Sequence, residues 1–387
     1  MRHFSLVLFS LLFCLPAFSQ RLSSMAEISL LTVAPGSELY SAFGHSAIRV
    51  HDPATGVDEV YNYGTFDFNT PNFYPKFMQG KLEYMVDKDP MRNFDYAYRY
   101  FERTYQEQVL DISQSQKQGI ADFLAKNNLP ENRFYLYDFF FDNCATRLRD
   151  VVENVMGDSL RWGAPTKTGA SFRDYLHEYL TEKAWIEFGI DLALGAVVDR
   201  EADIREQMFL PDYLATAFGG AEVRTATGWK PLLKSQETIY EGPDLVAATP
   251  WYLHPLSITM LIMGLMLWHS WLRWRGKGKV APDVALWVTL GIMGCVISLL
   301  WFATDHTATA QNWNLLWANP LHLLAGLGLV WRKKLLWLKW YFLGAGSLGV
   351  LLLLLGTFLP QHFPLAFYPI FVVIAVRGLM LFGKWDQ

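Results

Sequence analysis

Five long apolar stretches in the last third of this 387-residue sequence constrain its fold more than any other feature. Each stretch is about long enough to cross a hydrocarbon core of ~30 Å as a helix. A composition that is 52% hydrophobic agrees with a membrane component. We therefore predict an α-helical transmembrane domain over residues 250–387. The predicted spans are residues 254–272, 283–303, 315–331, 341–359 and 366–382.

The charges in the connections predict how these spans are oriented. The loops after the first and third spans are rich in Lys and Arg, whereas the connections 304–314 and 360–364 contain neither residue. By the positive-inside rule, the basic loops and the C-terminus are cytoplasmic and everything before the first span lies outside. Residues 1–19 have the pattern of a secretory signal peptide, with an uncleaved anchor as the alternative. We predict a multi-pass protein of a bacterial inner membrane with a periplasmic N-terminal domain.

Residues 20–249 have the composition of a globular domain that mixes helices and strands. The alternating residues 41–51, the turn 52–56 and the returning residues 57–64 predict a β-hairpin. Residues 219–250 are rich in Gly, Thr and Pro and have the composition of a linker. The predicted fold class is therefore α+β, followed by the helical membrane domain.

A helix start in the sequence YDFFFDNCATRLRD contains the most informative cysteine. Asp142 and Asn143 are good N-cap residues, so Cys144 falls in the first turn, where free N–H groups and the helix dipole favour a thiolate. The other two cysteines lie in the predicted signal peptide and in a predicted span. A buried, inert thiol is the alternative interpretation of Cys144.

Thiol chemistry requires a base near the sulfur and a third group that orients the base. Among the histidines of the predicted outer domain, His45 is the strongest candidate because it follows Gly44 on a strand, where a substrate can approach closely. A satisfied, half-buried strand histidine is the alternative. Asn62, Tyr63 and Glu38 are all candidates for the orienting group, and a one-residue shift in register decides between them.

Polar residues cluster in and after the outer connection that follows the second predicted span. Asp305, His306, Asn312 and Asn314 there are candidates for binding a lipid headgroup or a diacylglyceryl group, because polar groups at membrane depth are costly. An ordinary interfacial loop anchored by tryptophan is the alternative. The ligand spacing predicts no metal site, and the net charge of −4 gives no case for nucleic-acid binding.

The segments FGHSAIRV (residues 43–50) and FDNCATRLRD (residues 141–150) together resemble a circularly permuted papain-type domain of the NlpC-like kind, in which the histidine strand precedes the cysteine helix. With the apolar spans added, the whole chain resembles the Lnb-type lipoprotein N-acyltransferases. The resemblance implies that Cys144 is the nucleophile and His45 the base, and it does not fix a third residue.

The same resemblance implies a reaction and its partners. The sn-2 acyl chain of a diacylglyceryl-modified lipoprotein would move, through a thioester on Cys144, to the α-amine of the lipoprotein's terminal cysteine. The expected partners are lipoproteins and membrane lipid, and no cofactor is expected. A membrane-tethered cysteine peptidase or amidase acting on cell-wall peptide is the first alternative, since it would use the same core. A non-catalytic membrane sensor is the second.

Overall fold

The computed structural model describes residues 21–164, 166–243, 248–331 and 335–385. Within them, a mixed region of strands and helices reaches Tyr240, and a helical region begins at Pro255. The predicted signal peptide, residues 1–19, lies outside the described residues, as do the basic residues 332–334.

A seven-stranded antiparallel sheet organises the N-terminal region. Its strand order is β10-β5-β1-β2-β3-β4-β6, and β7, β8 and β9 form a second, small sheet. In the inner strand β1, Leu30 and Leu31 point to opposite faces, and both are fully buried. Both faces of the large sheet are therefore covered at its centre. The strands are β1 (Glu27–Val33), β2 (His45–Asp52), β3 (Val57–Thr65), β4 (Glu83–Pro90), β5 (Tyr105–Leu110), β6 (Phe134–Leu136), β7 (Leu160–Arg161), β8 (Glu222–Thr225), β9 (Gly228–Pro231) and β10 (Leu233–Tyr240).

Helices cover the two faces of this sheet. The helices of the region are α1 (Phe73–Met78), α2 (Met91–Tyr100), α3 (Gln114–Asn127), α4 (Cys144–Met156), α5 (Phe172–Leu180), α6 (Ala184–Ala193), α7 (Ile204–Gln207) and α8 (Pro211–Gly220). Apolar residues of α3, α4 and α8 pack with Ile48 and Val50 on one face. Phe94 of α2 packs with Ala47 on the other. The helix that contains Cys144 thus lies directly against strand β2.

The structure confirms the predicted hairpin and the predicted cysteine helix. Strands β2 and β3 pair antiparallel around the turn, and α4 ends at Met156 before Gly157, which has a φ of 48°. The linker prediction for residues 219–250 is wrong over most of its length, because β8, β9 and β10 lie within it. The glycines and threonines there mark hairpin turns, and β10 returns to pair with β5 at the edge of the large sheet.

Four helices of the C-terminal region are long and apolar enough to cross a membrane, within the part of the chain that the structure describes: Pro255–Trp274, Ala281–Phe302, Leu336–Phe358 and Leu365–Gly383. They correspond to the first, second, fourth and fifth predicted spans. Their α-helical portions are α9 (Pro255–Trp274), α10 (Ala281–Phe302), α12 (Leu336–Leu355) and α13 (Tyr368–Gly383), and the short helix α11 (Leu321–Gly328) precedes α12.

The third predicted span, residues 315–331, is not a continuous helix, so the prediction of five spans is not confirmed. A 3₁₀ turn over Trp313–Leu316 precedes the eight-residue α11. Pro320 has no N–H to continue a helix, and the Asn319 side chain accepts a bond of 2.9 Å from Leu321 N, which starts a new one. Eight residues rise only ~12 Å along a helix, less than half of a hydrocarbon core.

Small residues bring α12 and α13 into close contact. A Cβ atom added to Gly346 would lie 2.7 Å from the backbone N of Leu379, and one added to Gly378 would lie 2.6 Å from the backbone N of Gly346. Backbones approach this closely only where side chains are absent, as is common between membrane helices.

Gly346→Ala is expected to destabilise the membrane domain by about 1–3 kcal/mol, because the added methyl group overlaps the backbone of α13. The measurement is the Tm of the purified protein in detergent. Gly344→Ala is the matched control, since its methyl group meets no atom within 4 Å, and its Tm is expected to be unchanged. Equal Tm values for the two variants would contradict the close crossing of these helices.

Candidate active site

Asn143 fixes the start of the helix that contains Cys144. Its side-chain oxygen accepts bonds of 2.9 Å from both Ala145 N and Thr146 N, and Thr146 Oγ1 accepts a bond of 2.7 Å from Asn143 N. Its side-chain nitrogen donates bonds of 2.7 Å to the carbonyl oxygens of Phe139 and Phe209. Every polar group of this buried asparagine is therefore used, and the first turn of α4 has a single well-defined position.

Cys144 is buried at this helix start. Burial raises the pKa of the thiol above its ordinary value, because a buried thiolate loses the solvation of water. The backbone N–H groups of Ser46, Ala145 and Cys144 itself, together with the Arg103 guanidinium, lower the pKa in opposition. Burial has the larger effect, so the resting group is a neutral thiol. Since Ser46 follows His45 in the chain, its influence on the sulfur places Cys144 at the beginning of strand β2.

His45 is the first residue of β2 and follows Gly44, whose φ of 81° favours glycine. A Cβ atom on Gly44 would also lie 2.7 Å from the carbonyl oxygen of Val33. His45 Nε2 lies 3.1 Å from Asn62 Oδ1. An amide oxygen only accepts, so Nε2 is the protonated nitrogen and Nδ1 has a free lone pair. Burial lowers the pKa of His45 to about 4, with the Asn62 bond opposing the change, so the ring is neutral at pH 7.

Of the three candidates for the orienting group, the structure places Asn62 against His45. Ala47 pairs with Asn62 in the hairpin, which puts the Asn62 side chain diagonally next to that of His45. The Tyr63 hydroxyl instead accepts a bond of 2.8 Å from Asn127 Nδ2. Glu38 is exposed in the loop before a 3₁₀ turn.

Gly64 allows Cys144 to approach the hairpin. Gly64 lies on β3, two residues after Asn62, whose side chain contacts His45. A Cβ atom on Gly64 would lie 3.7 Å from Cys144 Cβ and 3.2 Å from the Tyr137 ring, and its φ of 85° also favours glycine. The structure therefore brings both residues that the sequence singled out, Cys144 and His45, to one end of the hairpin.

Two cavities meet at His45. The larger, about 950 Å³, is lined by polar groups that include Asn62, Asp89 and Lys183. The smaller, about 500 Å³, lies between the N-terminal region and residues 305–309 of the outer connection. His45 and Arg103 line both. One cavity is thus open to polar ligands, and the other reaches the membrane domain.

Arg103 is a site residue that sequence reasoning missed. Its Nε and Nη2 atoms donate bonds of 3.0 and 2.6 Å to the Ala34 carbonyl oxygen, and the guanidinium lies 5.2 Å from the centre of the Tyr98 ring. Burial lowers its pKa, and the described part of the chain gives it no ion pair with a carboxylate. No pattern in the sequence distinguishes Arg103, which follows the aromatic helix α2, from an ordinary surface arginine. Its positive charge is close enough to Cys144 to lower the pKa of the thiol.

Only two of the four residues predicted to bind a headgroup line a cavity. Asp305 and His306 line the smaller cavity. Asn312 and Asn314 lie outside both cavities and are buried against the end of α6. Their side-chain nitrogens donate bonds of 2.9–3.1 Å to the carbonyl oxygens of residues 191–193. The two asparagines therefore join the two regions of the chain, and their side-chain nitrogens are already occupied.

A group with possible metal ligands lies at the same junction. Ligand atoms of His177, Glu187 and Asp191 fall within 4.8 Å of one another. Asp191 already pairs with Arg173 at 2.6 Å and with His177 at 3.0 Å. A cation would have to compete with the buried Arg173 guanidinium, so an ion-pair network accounts for this cluster better than a metal site does.

The fold and the site define a class of protein: a membrane protein with a thiol and an imidazole at the end of a hairpin, in a domain that rests on apolar helices. The chain belongs to the Lnb family. The family model described as the Lnb N-terminal periplasmic domain matches residues 19–175, and the one described as the Lnb transmembrane domain matches residues 247–384. The N-terminal domain is therefore extracytoplasmic. Neither a search of curated proteins nor one of solved structures gives a match.

Alkylation of Cys144 by iodoacetamide is expected to be slow at neutral pH and to accelerate only at higher pH than for an ordinary cysteine. The reason is that burial raises the thiol pKa and the thiolate is the reactive form. Mass spectrometry of the Cys144 peptide measures the rate, and the Cys144→Ser variant accounts for reaction at Cys295. Fast alkylation that is independent of pH from about pH 5 upward would instead show a thiolate–imidazolium pair.

Proposed function

We propose that this protein is a lipoprotein N-acyltransferase that works through a thioester on Cys144. The observation that supports this most is the position of Cys144: a capped helix start at the end of the hairpin that contains the neutral, Asn62-bonded His45, in an extracytoplasmic domain joined to a membrane domain. Membership of the Lnb family supports the same reaction. The acyl donor is the sn-2 ester of a diacylglyceryl-modified lipoprotein, and the acceptor is the α-amine of its terminal cysteine.

In the first half of the reaction, the thiol attacks the donor ester. His45 Nδ1 accepts the thiol proton as Cys144 Sγ bonds to the ester carbonyl carbon. The carbon–oxygen bond to the glyceryl group then breaks, and His45 returns the proton to that oxygen. The products are a thioester on Cys144 and a lyso-glyceryl lipoprotein.

In the second half, the amine takes the acyl group. The unprotonated α-amine attacks the thioester carbonyl, His45 accepts a proton from the attacking nitrogen, and the carbon–sulfur bond breaks. The departing thiolate regains that proton from His45. The resting neutral pair is restored, and the lipoprotein leaves N-acylated.

The oxyanion of both tetrahedral intermediates requires a donor. The N–H groups of Ala145 and Thr146 are bonded to the Asn143 side chain. We assign the oxyanion to the Cys144 N–H, which lies at the positive end of the α4 dipole, with the Arg103 charge close by.

We also propose that the chain crosses the membrane five times, with a cytoplasmic C-terminus. Thr307 Oγ1 donates a bond of 2.7 Å to Asp138, and the His362 N–H donates one of 3.2 Å to Asp199, so the connections before α11 and after α12 both contact the extracytoplasmic domain. Because α12 is long enough to cross, its start lies on the far side of the membrane. The broken segment 313–331, which contains α11, must then cross from the extracytoplasmic side to the cytoplasmic side.

A cysteine peptidase or amidase is the second candidate function. The polar cavity of about 950 Å³ beside His45 is the observation that favours it, because a wall peptide would fit such a space as well as a lipoprotein's N-terminal segment does. The two functions differ in the acceptor, which is water for the hydrolase and an amine for the transferase.

In cells, Cys144→Ser and His45→Ala are expected to abolish N-acylation of lipoproteins, since general acid–base catalysis alone contributes roughly 10²–10⁴-fold. The measurement is mass spectrometry of a lipoprotein's N-terminal peptide. His51→Ala is the control, because His51 lies on the same strand and outside both cavities. Identical terminal lipid structures in all strains would contradict the proposal, and release of wall peptide that depends on Cys144 would favour the hydrolase.

Asn62→Asp is expected to shift the acidic limb of the profile of kcat/KM against pH upward. A carboxylate beside His45 stabilises the imidazolium, so the His45 pKa rises from about 4 and the base is lost at a higher pH. Tyr63→Phe is the control, because Tyr63 bonds to Asn127 and not to His45. An acidic limb that is the same in both variants would show that Asn62 does not act through the imidazole.

A further inference from the structure

The smaller cavity at His45 has a wall on each side of the junction between the two domains. Phe66, Phe77 and Leu82 contribute apolar surface from the extracytoplasmic domain. Residues 305–309 close it from the membrane domain, and His45 stands at its inner end. The volume of about 500 Å³ is typical of a small-molecule site. An apolar space that extends from the membrane domain to His45 has a composition that suits an alkyl chain.

Helix α1 forms the outer edge of this cavity and is fixed to the membrane domain. The Gln79 carbonyl oxygen accepts a bond of 2.9 Å from Asp305 N. A Cβ atom on Gly80 would lie 3.3 Å from both Asp305 and His306. These contacts hold α1 beside the outer end of α10, which ends at Phe302. Since α10 is a membrane helix, α1 lies at the outer surface of the bilayer.

The two faces of α1 differ in what they contact. Phe73 is buried against Phe66 and Phe68. Tyr74, Phe77 and Met78 are 73%, 51% and 67% exposed, and the Phe77 ring stacks on the Phe73 ring at 6.3 Å between centroids. The only charged residue in the helix is Lys76. An aromatic and apolar face with a cationic flank is the composition of a helix that lies in a membrane interface.

We propose that α1 inserts its exposed face into the outer leaflet, and that an acyl chain enters the smaller cavity from the bilayer between α1 and residues 305–309. We call this entry route between α1 and residues 305–309 the portal. It rests on the proposed function, because it identifies where the acyl chain of the donor is bound. The carbonyl end of the chain then lies near His45, and the polar peptide of the lipoprotein extends into the larger cavity. The lipid substrate reaches the thiol without crossing water.

The test uses the full-length Cys144→Ser protein in nanodiscs that contain a phospholipid with a photoreactive group in its acyl chain. Mass spectrometry is expected to find lipid adducts on residues 66–82 and 305–309. Tyr96 and Tyr100 on α2 are the internal control, because they are 71% and 70% exposed and line neither cavity. Adducts that are absent from α1, or equally frequent on Tyr96 and Tyr100, would overturn the proposal. This variant has no nucleophile, so the result does not depend on acyl transfer.

A pair of double variants tests the portal by kinetics. Tyr74→Ser with Met78→Ser, two exposed residues that line neither cavity, is expected to lower kcat/KM for a diacylglyceryl lipopeptide in vesicles about tenfold, and to leave acylation of Cys144 by a water-soluble short-chain ester unchanged. Tyr96→Ser with Tyr100→Ser is expected to change neither rate. An equal loss for both substrates in the α1 variant, or no loss for either, would overturn the portal.

Discussion

The Asn143 cap is the interaction on which the rest of the site depends. A single buried amide accepts from the first turn of α4 and donates to two carbonyl oxygens in separate segments, so it ties the helix start to Phe139 and Phe209 at the same time. An unsatisfied amide in that position would cost about 1–3 kcal/mol for each group left without a partner. Because the cap is complete, the sulfur has a fixed place against the hairpin, where His45 already lies.

The buried positions of Cys144 and His45 also determine the protonation states of the two side chains. Burial raises the thiol pKa and lowers the imidazole pKa, so both groups rest neutral at pH 7. A neutral pair suits the proposed reaction with an apolar donor, because charges in a buried cavity would bind water that an alkyl chain must displace. In that proposed reaction, charge develops only as the thiol proton moves to His45, near the α4 dipole and Arg103.

The junction between the two domains is held by polar side chains whose hydrogen-bond partners lie far away in the sequence. Asn312 and Asn314 donate to the carbonyl oxygens at the end of α6, and Gln361 accepts from Trp313 N at 2.7 Å and donates to Leu194 O at 3.2 Å. These bonds satisfy the last carbonyls of a helix that would otherwise end against apolar surface. They join the extracytoplasmic domain to the membrane domain, as the proposed reaction on a membrane-anchored ester requires.

Local patterns in the sequence predict the hairpin and the α4 helix, because alternation and capping are short-range signals. The pairing of Cys144 with His45 was implied instead by the resemblance to the Lnb family. The choice of Asn62 over Tyr63 depended on register, which only the paired strands supply. Pro320 allowed a broken or re-entrant helix in the third span, and the apolar composition of that span could not decide between a broken and a continuous helix. The roles of Asn312, Asn314 and Arg103 come from contacts with residues more than 60 positions away, which no local pattern contains.

Trapping the acyl-enzyme tests the central claim most directly. The intact protein is mixed with a diacylglyceryl lipopeptide whose α-amine is blocked by acetylation, and the Cys144 peptide is then weighed by mass spectrometry. We expect that peptide to gain the mass of one acyl chain and to lose it in neutral hydroxylamine, as a thioester does. Lipopeptide that loses its sn-2 chain while Cys144 remains unmodified at every time point would contradict the account.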